Sequence, residues 1–191
     1  MILSFDIGIK NLAYCCLDHN ETVCLWDRVD IGVDHKNIQV LVNAMIDMID
    51  DVLYNKLSID LENEHIIFLI ENQPVLKNPV MKNLQIIIAT YATLLEKTGV
   101  VGKVDIHFVS ASSKIKLIEA ETGTKIPAKS YSANKKASVD HTRTLVEKSD
   151  NHYMKRVFAE TKKKDDISDV YLQARWWMKN NAKKTHAFQS I

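Results

Sequence analysis

Residues 65–71 read H-I-I-F-L-I-E, and no other stretch constrains the fold so tightly. Five consecutive large apolar residues, three of them β-branched, form a strand that needs cover on both faces. Such a strand belongs in the middle of a sheet with helices above and below. The flanking sequence supplies that cover. Ile2–Phe5, Leu12–Leu17 and Val23–Ile31 read as three antiparallel strands, with a hairpin turn at Asp18–Glu21 between the second and third. Asn37–Leu53 has apolar residues at helical spacing. Pro79–Lys97 is a second long helix, Val104–Val109 a fifth strand, and Lys114–Glu121 a short helix. Helices over Ser132–Lys148 and Asn151–Glu160 follow, and a last helix starts near Asp165 and runs to about Asn180. The order βββαβαβ, then helices, implies an α/β domain with one mixed five-stranded sheet, three antiparallel strands and then parallel ones, and helices on both faces. One domain over residues 1–191 is expected, with an unpatterned tail from about 181.

Composition narrows the class. Apolar residues make up 46% of the chain, too many for a disordered protein. Five glycines leave no room for the phosphate loops and second domain of an actin-like nucleotide-binding protein, so no nucleotide cofactor is expected. The longest apolar run, Leu84–Leu95, is shorter than the roughly 20 residues a membrane span needs. The three cysteines, Cys15, Cys16 and Cys24, lack metal-ligand spacing and read as small buried thiols in strands. No basic, cleavable segment precedes the first strand. A reducing, intracellular setting is the expectation.

The formal net charge of +1 conceals two opposed halves. Residues 1–71 hold thirteen acids and four Lys/Arg, a net −9; residues 125–164 hold eleven Lys/Arg and four acids, a net +7. The basic segment suits a polyanion, or else a set of solvated helix faces.

The acids are patterned. Asp6 ends the first strand and Glu71 the fourth. Strand C-termini border the functional crevice of an open α/β sheet. If these strands are neighbours, the two carboxylates meet there. Asp166 and Asp169 begin the last helix, three apart and so on one face. Acids also cap helix N-termini, which is the simpler explanation of K-D-D-I-S-D taken alone. Four carboxylates at one point need positive charge, from a lysine or a metal ion. Oxygen ligands without thiolates select Mg²⁺ or Mn²⁺, and two such ions suit hydrolysis of a phosphodiester.

F-D-I-G-I-K-N-L-A-Y, then I-E-N-Q-P, then K-K-D-D-I-S-D resembles the RuvC-type Holliday junction resolvases, more narrowly those of poxviruses and of yeast mitochondria. The resemblance runs from Met1 to about Asn180. It implies a ribonuclease-H-like fold and a homodimer. The activity it implies is paired, symmetric nicking of four-way DNA junctions, leaving 5′-phosphate and 3′-hydroxyl ends. It maps the metal-binding acids onto Asp6, Glu71, Asp166 and Asp169, with Asp165 as an alternative, and implies two Mg²⁺ or Mn²⁺ ions. A functional lysine is implied in S-A-S-S-K-I-K, Lys114 first and Lys116 second. Lys116, Lys129, Lys135, Lys136, Arg143, Lys155, Arg156, Lys162, Lys163 and Lys164 are candidate DNA-backbone contacts. The poxvirus resemblance further implies a role in viral genome concatemers, in the cytoplasm of an infected cell. A broader flap or fork nuclease, and a non-catalytic junction-binding protein, are the alternatives.

Two further features have two readings each. The helix Pro79–Lys97 is apolar on more than one side, so it is sandwiched within one subunit or shared with a second. Trp176 and Trp177 stack on bases or, since Val170, Ala174 and Trp177 share a face, pack the last helix on the sheet.

Overall fold

The computed structural model describes residues 1–32, 37–57, 59–74, 79–127 and 130–185, with no side-chain detail for 182–185. Lys129 and the tail from 186 onward lie outside the described residues. Five strands form one sheet: β1 (Ile2–Asp6), β2 (Leu12–Leu17), β3 (Val23–Val29), β4 (His65–Glu71) and β5 (Lys103–Val109). Their order is β3-β2-β1-β4-β5, with β1–β2 and β2–β3 antiparallel and β1–β4 and β4–β5 parallel. The helices are α1 (Ile38–Asp50), α2 (Pro79–Lys97), α3 (Ser113–Thr122), α4 (Tyr131–Lys148), α5 (His152–Glu160) and α6 (Lys164–Thr185). The fold class expected from the sequence is the one observed.

Side-chain alternation along the strands builds two cores. Leu3 and Phe5 of β1, and Ile66, Phe68 and Ile70 of β4, meet α1 and α2 on one face. Ile2, Ile67 and Leu69 point the other way and meet α3, α4, α5 and α6. Both sides of β4 are therefore covered, as its composition demands.

Several boundaries differ from the sequence reading. β3 stops at Val29, two residues early, and α1 continues into a π-helical turn, Asp51–Lys56. α6 extends to Thr185, past Asn180. Its polar end, N-N-A-K-K, carries no breaker, so the helix propagates without an apolar stripe to mark it. Cys15 and Cys16 are buried in β2, but Cys24 is exposed on β3, where alternation turns it outward.

The structure also bears on the two open readings. Trp177 stacks 4.0 Å from the His107 ring on β5, and both tryptophans pack on the α6-side core, so their role is packing. In α2, Leu84, Gln85, Ile88, Ala92 and Leu95 are buried, whereas Ile86 is 49% and Leu94 51% exposed. The helix is thus not sandwiched within one chain, and its outer face carries Ile86 and Leu94 among the polar Asn83, Thr90 and Lys97. No helix among the described residues is long and apolar enough to cross a membrane.

Candidate functional site

Parallel pairing of β1 with β4 sets Phe5 beside Ile70, so the next residues, Asp6 and Glu71, emerge side by side at the strand ends. α6 crosses β2 and β1 and brings Asp166 and Asp169 to the same place. All four acids and Lys114 line one cavity of about 500 Å³.

α6 is held there by specific bonds. The indole Nε1 of Trp26 donates to the Ile167 carbonyl at 2.7 Å, between the two acids. Gln173, 3% exposed, donates from Nε2 to Ser4 Oγ at 3.0 Å, to the Phe5 carbonyl at 3.3 Å and to the Leu69 carbonyl at 3.4 Å. One amide therefore ties together the three elements that carry the acids. Sequence reasoning missed Gln173. Its signal was present: it stands seven positions after Asp166 and four after Asp169, on the same helix face, as a lone polar residue in an apolar stretch.

The four acids share one cavity, as the sequence suggested, and of the two cations it offered, a lysine or a metal ion, a lysine stands among them. Among the described residues no three of them close into a metal-ligand cage. Lys114 stands between them instead. Its ammonium lies 2.5 Å from Asp169 Oδ2 and 3.3 Å from Glu71 Oε2, with all three side chains only 13–16% exposed. The physical reason is repulsion: carboxylates in a low-dielectric site separate until a cation lies between them. Burial would lower the Lys114 ammonium, but Asp169, Glu71 and Asp6 outweigh it and hold the group protonated well above the usual lysine range.

One ammonium does not balance four acids. Burial first, then Glu71, raise the Asp6 carboxyl well above the usual range; Asp169 and Asp166 add to this and Lys114 opposes it. Burial and Asp165 also raise Asp166. Asp166 Oδ2 and Asp169 Oδ1 are buried with no hydrogen-bond partner among the described residues. An orphaned carboxylate oxygen in such a place calls for a cation. The donor set is all hard oxygen, so the residues fit Mg²⁺ or Mn²⁺, with Lys114 as the competing charge.

Asp165 is separated from this set. It pairs with Lys135, and that hydrogen bond lowers its carboxyl against the raising effect of burial. Lys116 is exposed and lines a different hollow, beside Ser112 and Glu119, so of the two lysines Lys114 is the one at the acids. The basic candidates divide. Lys135 lines the acid cavity. Lys136, Lys155, Arg156, Lys162 and Lys163 are exposed. Arg143, also exposed, pairs with Asp140 at 2.8 Å, one turn away. Lys164 is engaged within the chain: its ammonium donates to the carbonyls of Phe158 and Thr161 at 2.7 and 2.8 Å, and so caps the C-terminus of α5.

Comparison with known proteins speaks to the fold. No family model and no curated protein matches the chain. Solved structures do. The yeast mitochondrial Holliday junction resolvase Ydc2 superposes with a TM-score of 0.61 at 15% identity, over 98% of this chain and 83% of that one. RuvC of Thermus thermophilus superposes with a TM-score of 0.53 at 10% identity, over 94% and 96%. Sheet order and likeness agree, and the chain has the ribonuclease-H-like fold of these proteins.

Proposed function

We propose that this chain is a metal-dependent endonuclease that resolves four-way DNA junctions. The observation that carries the proposal is the gathering of four carboxylates, from three separate elements, in one cavity, with two buried oxygens that lack a partner among the described residues. A binding module has no use for such a gathering, which costs stability through repulsion. The three motifs and the likeness to a Holliday junction resolvase support the choice of substrate.

Asp6, Glu71, Asp166 and Asp169 are the residues that would hold divalent ions, two per site. Bound there, the ions supply an acidified water and charge neutralisation at the phosphodiester. Lys114, released from Asp169 and Glu71, donates to the developing charge on the scissile phosphate. Gln173 keeps the two acids of α6 in register with β1 and β4. The products are 5′-phosphate and 3′-hydroxyl ends. The exposed lysines grip backbone phosphates, which fixes position without reading bases and suits recognition by shape. The outer face of α2, with the exposed Ile86 and Leu94, is the homodimer face; a two-fold axis matches paired symmetric nicks. On the motif resemblance alone, we assign the activity to viral genome concatemers in an infected cell's cytoplasm.

The test is cleavage of a labelled synthetic four-way junction beside matched duplex and flap DNA, with Mg²⁺, Mn²⁺ or EDTA. Paired symmetric nicks on the junction alone, abolished by EDTA, are expected. Asp6→Asn should bind the junction and fail to cut it. Equal cutting of flaps and forks would replace the junction assignment with a general branch nuclease. Binding without cutting in every metal would overturn the enzyme.

A further inference from the structure

Beside the acids, positive charge gathers on a neutral oxygen. The loop joining β1 to β2, residues 7–11, lines the cavity and is drawn tight. A Cβ at Gly8 would lie 2.9 Å from the Asn11 carbonyl oxygen, so the loop closes only with glycine there. That closure fixes Asn11. Its side-chain Oδ1 accepts from Arg28 Nη1 at 2.6 Å and from Lys163 Nζ at 2.9 Å. Arg28 comes from β3 and Lys163 from the turn before α6. Arg28 Nη1 also reaches the Lys10 carbonyl at 3.4 Å. Lys10 is exposed at the cavity rim.

An amide dipole orients two cations but neutralises neither. Among the described residues, Arg28 and Lys163 have amide and carbonyl oxygens as partners and no carboxylate within ion-pair distance. Arg28 Nε is buried and unpaired among the same residues. Both cations bond to Asn11, which lines the same cavity as the four acids, so they stand next to those acids and not on a distant face. The arrangement holds like charges close together with no direct ion pair among the described residues. A planar guanidinium beside an ammonium suits a phosphate group.

We propose that Arg28, Lys163 and Lys10, organised by Asn11, form a clamp for a DNA backbone phosphate adjacent to the scissile one. The inference rests on the nuclease reading above and goes beyond it in naming a built subsite. The clamp answers a difficulty of the four acids, which on their own repel the strand they must cut. Holding one phosphate on the cations sets its neighbour over the carboxylates.

The experiment is a cycle of protein and DNA changes, read by junction binding in EDTA. Single neutral methylphosphonates are placed in turn at each phosphate flanking the crossover. One of them should weaken wild-type binding by about tenfold, as loss of a charge-assisted contact does. In Arg28→Met the same methylphosphonate should cause a clearly smaller loss, because part of the contact is already gone. Asn11→Asp keeps the shape of Asn11 but gives both cations an internal carboxylate. It should flatten the dependence of log K on log salt by about 0.9, the value for one phosphate. Losses that multiply for every methylphosphonate, or an Asn11→Asp protein with the wild-type salt slope, would overturn the clamp and leave the nuclease standing. A wild-type protein that neither binds the junction in EDTA nor cuts it in Mg²⁺ or Mn²⁺ would overturn the nuclease reading, and the clamp with it.

Discussion

Replacing Lys114 by methionine tests whether a lysine and a metal ion compete for one set of carboxylates. The ammonium makes contacts of 2.5 Å and 3.3 Å, among side chains 13–16% exposed. Removing one partner of a buried pair costs about 3–5 kcal/mol, because the remaining charges are left uncompensated. Here the site opens into a cavity of about 500 Å³, so water reaches the acids and the lower end of that range, about 3 kcal/mol, applies. In a chain of this size each 1 kcal/mol shifts the melting temperature by about 2–4 °C. In EDTA near neutral pH, Lys114→Met should therefore melt about 6–12 °C below wild type. Saturating Mg²⁺ should close most of that gap, since an ion at a thousand times its Kd adds about 4 kcal/mol. Wild type should gain less, because its ion must first displace the ammonium. Circular-dichroism melts across a Mg²⁺ titration read all of this. Junction cleavage should meanwhile fall by about 10²–10³, the effect of losing one donor to developing charge. A merely structural lysine predicts the reverse, with activity recovering as Mg²⁺ restores stability. Coincident melts of the two proteins in EDTA, or equal gains from Mg²⁺, would refute the reasoning.

Asp6→Asn should raise the melting temperature in EDTA at neutral pH. The Asp6 carboxyl is raised in the folded state, so its stabilising contribution is full below its unfolded pKa and is lost as pH rises through the folded one; the gap between variant and wild type should widen with pH. Gln173→Leu should lower kcat by about 100-fold, the cost of shifting catalytic groups by about 1 Å, with junction affinity unchanged and more Mg²⁺ needed for half-maximal rate. Ile86→Glu with Leu94→Glu should convert a dimer to a monomer by sedimentation, with monomer stability altered by less than about 0.5 kcal/mol, because both residues are already exposed.

The sheet was legible because its signals are local. A run such as Ile66–Ile70 has one environment that satisfies it, and alternation on β1 and β4 sorts two cores without knowledge of partners. The acids were legible for a related reason: strand ends and helix starts are positions a sequence displays. Lys114 was visible as a residue but not as the partner of Asp169 and Glu71. Its place depends on the packing of α3 against α6, which no periodicity encodes. The basic segment was hardest. Lys163 and Lys164 are adjacent and chemically alike, yet one donates to Asn11 and the other caps α5. That difference comes from the turn between α5 and α6, settled by long-range contacts.

The site is also where the two charged halves of the chain meet. Asp6 and Glu71 come from the acidic first 71 residues. The basic segment returns beside them through Lys135 on Asp165 and Lys163 on Asn11. Neither contact is needed to hold the sheet together, since Trp26 and Gln173 already fix α6 against it. Their effect is electrostatic: they bring lysines of the basic segment to the edge of the cavity that the four acids line. A phosphodiester entering there meets attraction from the lysines and repulsion from the acids. A divalent ion removes the repulsion and leaves the attraction. For the nuclease proposed above, the metal would then serve entry of the strand as well as its cleavage, so junction binding should tighten with Ca²⁺, an ion that fills oxygen sites.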